Sequence, residues 1–141
     1  MRLKMNRMTL KIDAKSENEA FVRTAVAAFM LQIDPSVEEL SDVKTAVSEA
    51  VTNAVVHAYP EEKGVITVEC ETDENYIKIS ISDDGVGIAD TEKALEPYFT
   101  TKPCEERAGL GFTIIRSFMD EFELTSSFGV GTKIVMKKYV A

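Results

Sequence analysis

Glu49, Asn53 and His57 recur every four residues, and on a helix that spacing aligns them in one stripe. The stripe runs beside an apolar one made by Val43, Ala46, Val47, Ala50 and Ala54. The plainer reading is a solvated helix edge. The chemical reading is a general base one turn from an amide oxygen, the kind of donor that Mg2+ takes. Asn inside a helix costs roughly half a kcal/mol against Ala, so its presence there hints only mildly at use. A second group, Asp83-Asp84-Gly85-Val86-Gly87, closes an alternating run in which Ile77, Ile79 and Ile81 share a face. Continuing the alternation turns Asp83 to that same apolar face, where a carboxylate must find a donor. An adenine amino group is one such donor, and Gly85 and Gly87 would let a planar ring approach the backbone closely. An acidic turn ending a hairpin strand is the alternative; the direction of Asp83 favours a site. The third group is Arg107-Ala108-Gly109-Leu110-Gly111-Phe112. Here an irregular stretch runs into a glycine-rich helix start, whose free N–H groups and dipole favour phosphate. The spacing fits no Walker loop and no dinucleotide fingerprint. Arg107 adds a cation within reach of a terminal phosphate.

These groups need elements to hold them. Residues 8–13 alternate weakly and predict a short first strand. Ser16 and Glu19 form an S-x-x-E pattern that predicts a capping box opening a helix. The apolar residues of that helix, Phe21, Val22, Ala25, Val26, Phe29, Met30 and Ile33, recur at helical spacing and should pack on a core. Asp34-Pro35 predicts a second helix with proline at its first position. That helix runs to about His57 and stops before Tyr59-Pro60, because a residue preceding proline is pushed out of the helical region. Residues 65–71, Tyr76–Asp83, 122–126 and 132–138 then switch to period two, each run with one apolar and one polar face. Strands of that kind form a sheet covered by helices on a single side. Between them lie an irregular region over 86–108 and a short helix over about 109–119. The expected architecture is α/β, a two-layer sandwich with a mixed, mostly antiparallel sheet and helices on one face.

The chain has 141 residues, 45% hydrophobic and 28% charged, which suits a single domain spanning 1–141 with one core. A formal net charge of −8 argues against a nucleic-acid binder, which needs a basic footprint, and against an anionic membrane surface. Cys70 and Cys104 fit neither a metal-ligand spacing nor a disulfide framework. No apolar region follows the basic start to make a secretory signal, and no run is long enough for a membrane span. A cytoplasmic protein is expected.

Taken together, Glu-x-x-x-Asn on a helix, Asp-x-Gly-x-Gly after a strand, a lid, and Gly-x-Gly opening a helix resemble the GHKL ATPase and kinase superfamily, whose nucleotide-binding domain is the Bergerat fold. Gly129-Val130-Gly131-Thr132 before the last strand fits as well, where that superfamily places a threonine near the adenine. Within the superfamily, Ser48-Glu-Ala-Val-Thr-Asn-Ala-Val-Val-His57 and Phe99-Thr-Thr-Lys102 are similar to the stand-alone anti-sigma factor kinases. The resemblance implies ATP and ADP as nucleotides and Mg2+ as the metal. It makes Glu49 the general base towards a serine hydroxyl and Asn53 the Mg2+ ligand. Asp83 would accept from the adenine amine, with Gly85 and Gly87 close by and Thr132 in support. Gly109 and Gly111 would offer N–H groups to the phosphates, and Arg107 would steady the γ-phosphoryl charge. Thr100, Thr101 and Lys102 would lie on the lid. His57 sits within the Asn53 helix rather than on a separate dimerisation helix, so it is not expected to be a phosphoacceptor.

The resemblance also implies partners. Family members hold a sigma factor inactive, usually as homodimers, and phosphorylate a serine on a small anti-anti-sigma protein. Short length and lack of tails favour a sigma F over a sigma B partner. Arg23 matches a basic position on the first helix that the family uses at its protein-binding surface; otherwise it is an ordinary exposed helix residue. Two other functions share parts of the pattern. A nucleotide-gated binding module would need Asn53, Asp83 and the glycines but not Glu49. A GHKL ATPase of the topoisomerase or mismatch-repair kind would bring further domains.

Overall fold

A computed structural model describes residues 5–58, 64–85, 111–127 and 131–141 of the chain. Five of its segments are strands: β1 (Asn6–Asp13), β2 (Val65–Thr72), β3 (Tyr76–Asp83), β4 (Glu121–Ser127) and β5 (Gly131–Tyr139). Three are α-helices: α1 (Glu19–Met30), α2 (Val37–Asn53) and α3 (Gly111–Phe118). The strands form one sheet in the order β1-β2-β3-β5-β4. All four pairings are antiparallel, the limiting case of the mostly antiparallel sheet expected.

Alternation decides which side of the sheet is covered. Ile66, Val68 and Cys70 of β2, Ile77, Ile79 and Ile81 of β3, and Ile134 and Met136 of β5 are all buried. Their intervening neighbours Glu69, Lys78 and Lys133 are exposed. The helices therefore lie on one face, with α2 packed between α1 and α3. Val22, Val26 and Met30 of α1, Val43, Ala46, Val47, Ala50 and Val51 of α2, and Ile115 of α3 complete the core. Fully burying a valine or isoleucine side chain is worth about 1.5–3 kcal/mol, so this shared layer is what fixes α2 over the sheet. Burial pushes the Cys70 thiol up to about 12, which leaves it a packing group at neutral pH. Lys138 of β5 fastens the layers at one end, its Nζ donating to Asp42 Oδ2 on α2 at 3.0 Å and to the Phe118 carbonyl at 2.7 Å.

Three local expectations are corrected. Ser16 and Glu19 do not form a capping box: Ser16–Asn18 make a 3-10 turn, and no side chain caps α1. The second helix does not start at Asp34-Pro35. Asp34 takes a left-handed conformation (φ 53°), which breaks the chain direction after α1, and Ser36 is the N-cap. Ser36 Oγ accepts the Glu39 N–H at 3.0 Å while Glu39 Oε1 accepts the Ser36 N–H at 2.7 Å. This reciprocal pair satisfies two of the donors that a helix start leaves open. The backbone N–H groups of Ser36 and Ala141 hold the Glu39 carboxyl below its ordinary value. Phe21, expected in the core, is 54% exposed, because it sits at the edge of the apolar stripe of α1, on the side away from Val22 and Val26.

Candidate nucleotide site

The pair expected to act as base and amide ligand, Glu49 and Asn53, is carried by the last turns of α2. Glu49 is 7% exposed, between buried Val47, Ala50 and Val51. A solvated helix edge is therefore ruled out for Glu49. Asn53, one turn further on, closes the α-helix, and the chain continues as a π-helical turn over Ala54–Ala58 that packs on β3 and β5. Wide turns of this type are rare and occur disproportionately at functional sites. The Asn53 Nδ2 atom is buried and has no hydrogen-bond partner among the described residues. An orphaned buried amide costs about 1–3 kcal/mol, so the fold bears an expense that a bound group would remove. Rotation of the amide exchanges nitrogen for oxygen, so the same position can present an oxygen to a hard cation.

Gly111, the first residue of α3, brings the second part of the site to Asn53. A Cβ built on Gly111 would stand 2.8 Å from Asn53 Nδ2 and 3.2 Å from Oδ1. The helix start and the amide thus touch because the residue there is glycine. This contact joins the N-terminal positive end of α3 to a side chain able to hold a metal. Among the described residues no group of three or more His, Cys, Asp or Glu side chains could hold a metal ion. Mg2+ commonly takes several of its ligands from water and phosphate, so one amide oxygen from the protein is compatible with such a site.

Asp83 ends β3 opposite Thr132 of β5. Its carboxylate is half-buried on the helix-covered side, as the alternation predicts. Burial raises the Asp83 pKa, backbone N–H groups of Gly85 and Thr132 pull it down less strongly, and the neighbouring charge of Asp84 raises it further. Gly85 N–H donates to Oδ1 at 2.9 Å. A carboxylate offers roughly four acceptor positions, so two backbone donors leave room for a ligand N–H such as an exocyclic amine. Gly131 at the start of β5 has φ +142°, and a Cβ there would overlap the Asp83 carbonyl. Only glycine lets β5 approach β3 closely enough to present the Thr132 N–H. Ser126 of β4 supports the same corner, its Oγ donating to the Gly131 carbonyl at 2.8 Å and lying 2.9 Å from Thr132 Oγ1. Ser126 was not singled out in the sequence; a polar residue on a β-strand edge gives no signal until the register sets it opposite Thr132.

Among the expected site residues, Glu49, Asn53, Asp83, Gly85, Gly111 and Thr132 are described, and two contacts organise them: Asn53 with Gly111, and Asp83 with Gly85 and Thr132. Gly87, Thr100, Thr101, Lys102, Arg107, Gly109 and the His57 side chain lie outside the described residues. Arg23 does not join this site. It lies on α1, its side chain 37% exposed, with Nη1 3.3 Å from Glu19 Oε2. No helix among the described residues is long and apolar enough to cross a membrane.

Comparison with known proteins gives this geometry a context. Residues 12–138 match the family described as the histidine kinase-like ATPase domain. The chain is 53% identical over 135 residues to a protein named anti-sigma F factor from Caldanaerobacter subterraneus subsp. tengcongensis, covering 96% of this chain and 94% of that one. It is 50% identical over 136 residues to an anti-sigma F factor from Clostridium acetobutylicum, covering 96% and 95%. Among solved structures, the RsbU and RsbW domains of a Mycobacterium tuberculosis protein superpose with a TM-score of 0.69 at 20% identity, covering 96% of this chain and 32% of that one. The nucleotide-free catalytic domain of the histidine kinase ThkA superposes with a TM-score of 0.60 at 18% identity, covering 94% and 96%. At those identities the two structures speak for the fold alone.

Proposed function

Since the chain belongs to the histidine kinase-like ATPase domain family, and within it to the anti-sigma F factors, we propose that it is a cytoplasmic anti-sigma factor and serine kinase. It binds a sporulation sigma factor of the sigma F kind and holds it inactive. It uses Mg-ATP to phosphorylate a serine of an anti-anti-sigma protein, works as a homodimer and makes no direct contact with nucleic acid. The observation that carries the kinase reading is the buried Glu49 carboxyl one helical turn from an Asn53 amide that abuts Gly111.

The roles we assign rest on the geometry above for Glu49, Asn53, Asp83, Gly85, Gly111 and Thr132, and on the family resemblance for the others. Asp83 accepts from the adenine amine, with Gly85 and Thr132 holding its carboxylate and Gly87 leaving room for the ring. Asn53 holds Mg2+, which when bound neutralises phosphate charge. Gly109 and Gly111 offer N–H groups to the phosphates at the α3 start. Arg107 balances charge on the γ-phosphoryl group, and Thr100, Thr101 and Lys102 cover it from the lid. Glu49 accepts the proton of the incoming serine hydroxyl. The serine oxygen then bonds to the γ-phosphorus as the bond to the β-phosphate oxygen breaks, and ADP leaves with that electron pair. Positioning and charge neutralisation are the main requirements of such a transfer. Arg23 on α1 meets the protein partners.

Incubation with γ-labelled ATP, with and without an anti-anti-sigma protein, tests the proposal. Label on the partner's serine supports it. Released phosphate alone would indicate an ATPase, and nucleotide binding with neither product would indicate a gated binding module.

A further inference from the structure

Ser48 immediately precedes Glu49 on α2, yet its hydroxyl is directed to α1. It donates to Glu19 Oε2 at 2.5 Å. The Arg23 Nη1 atom lies 3.3 Å from that same carboxylate oxygen and 3.4 Å from Ser48 Oγ. Three side chains from two helices thus meet at one point.

A partly exposed ion pair between residues four apart on one helix is too weak to fix a long side chain by itself. The hydroxyl adds a contact from a second backbone, and a serine has little rotamer freedom to lose in making it. Among the described residues Arg23 makes these contacts through Nη1, and its Nε and Nη2 carry further donors that suit an acceptor on another protein.

We propose that Ser48 is a positioning residue for partner binding: through Glu19 it sets the Arg23 guanidinium, and because it adjoins Glu49 it registers a docked partner against the helix that carries the base. This rests on the reading of Arg23 as a partner contact given above.

The test measures binding of the purified sigma factor and of ATP to the full-length protein and its variants. Ser48→Ala is expected to weaken sigma factor binding about fivefold, the scale of one lost charge-assisted hydrogen bond acting indirectly, with ATP affinity and melting temperature unchanged. Ser48→Thr, which keeps the hydroxyl, should restore binding. In an Arg23→Ala background, Ser48→Ala should have no further effect, because its action passes through the guanidinium. The inference is overturned if Ser48→Ala binds the sigma factor as the wild type does, if its loss persists at full size in the Arg23→Ala background, or if ATP affinity falls in step. A wild-type protein that binds ATP but no sigma factor would overturn the proposed function and this inference with it.

Discussion

Replacing Gly111 with alanine tests whether the start of α3 and Asn53 form one nucleotide-binding unit. The added Cβ would stand 2.8 Å from Asn53 Nδ2, 3.2 Å from Oδ1 and 3.4 Å from Cγ. The first of these is about 0.7 Å inside an ordinary non-bonded separation of roughly 3.5 Å. Either the amide turns or the helix start retreats. Turning a side chain off its rotamer costs about 0.5–1.5 kcal/mol, while alanine in place of glycine returns up to about 1 kcal/mol of helix propensity. The two nearly cancel, so the melting temperature should stay within a few degrees of the wild type, since about 1 kcal/mol moves it by only ~4 °C at this size. Function should not be spared, because the displaced atoms are the proposed metal ligand and phosphate donors. A misplacement approaching 1 Å costs on the order of 10²-fold in transfer rate, and roughly tenfold in Mg-ATP affinity if one charge-assisted contact is lost. Titration with a fluorescent ATP analogue, with and without Mg2+, alongside a thermal melt, reads both quantities. Wild-type affinity and transfer in a stably folded Gly111→Ala protein would refute the pairing.

Other substitutions separate the remaining roles. Glu49→Gln should keep ATP binding and lower serine phosphorylation by about 10²–10⁴-fold, the usual range for a lost general base; unchanged single-turnover transfer would remove Glu49 from that role. Asp83→Asn should weaken ATP binding at least about tenfold, the worth of one hydrogen bond to a charged group, yet stabilise the nucleotide-free protein at neutral pH. Burial raises the Asp83 pKa above its ordinary 3.8, so its contribution to stability is intact below that value and is lost as pH rises through the raised folded value; melting curves across that range should show this loss in the wild type and not in Asp83→Asn. Asp34→Gly should raise stability by about 0.5–1 kcal/mol, since a left-handed non-glycine residue costs about 1–2 kcal/mol and glycine returns part of the gain as unfolded-chain entropy; denaturant unfolding measures it.

Where side-chain alternation was strict, the sequence was enough to place residues. Tyr76–Asp83 was expected with the bounds it has, and the direction of Asp83 followed from Ile77, Ile79 and Ile81. Burial of Glu49 was harder, because a stripe at the margin of an apolar face reads equally as solvated edge until α3 is laid beside it. Periodicity cannot place such margins, which is also why Phe21 was assigned to the core. The pattern S-x-x-E occurs at Ser16 and at Ser36, and only the second closes into a capping box; proline at Pro35 drew the helix start two residues too early. The π-helical turn after Asn53 leaves no trace in a 3.6-residue pattern. Ser48 meets Glu19, 29 residues away, and Ser126 meets Thr132 only through the pairing of β4 with β5, so no side-chain periodicity announces either contact.

Comparing ATP with purine riboside triphosphate, which lacks only the exocyclic amine, probes the adenine contact at Asp83 most directly. If Asp83 accepts from that amine, ATP should bind at least about tenfold more tightly, the worth of one hydrogen bond to a charged group, and Asp83→Asn should erase the difference. Equal affinity of the wild-type protein for the two nucleotides would contradict the account.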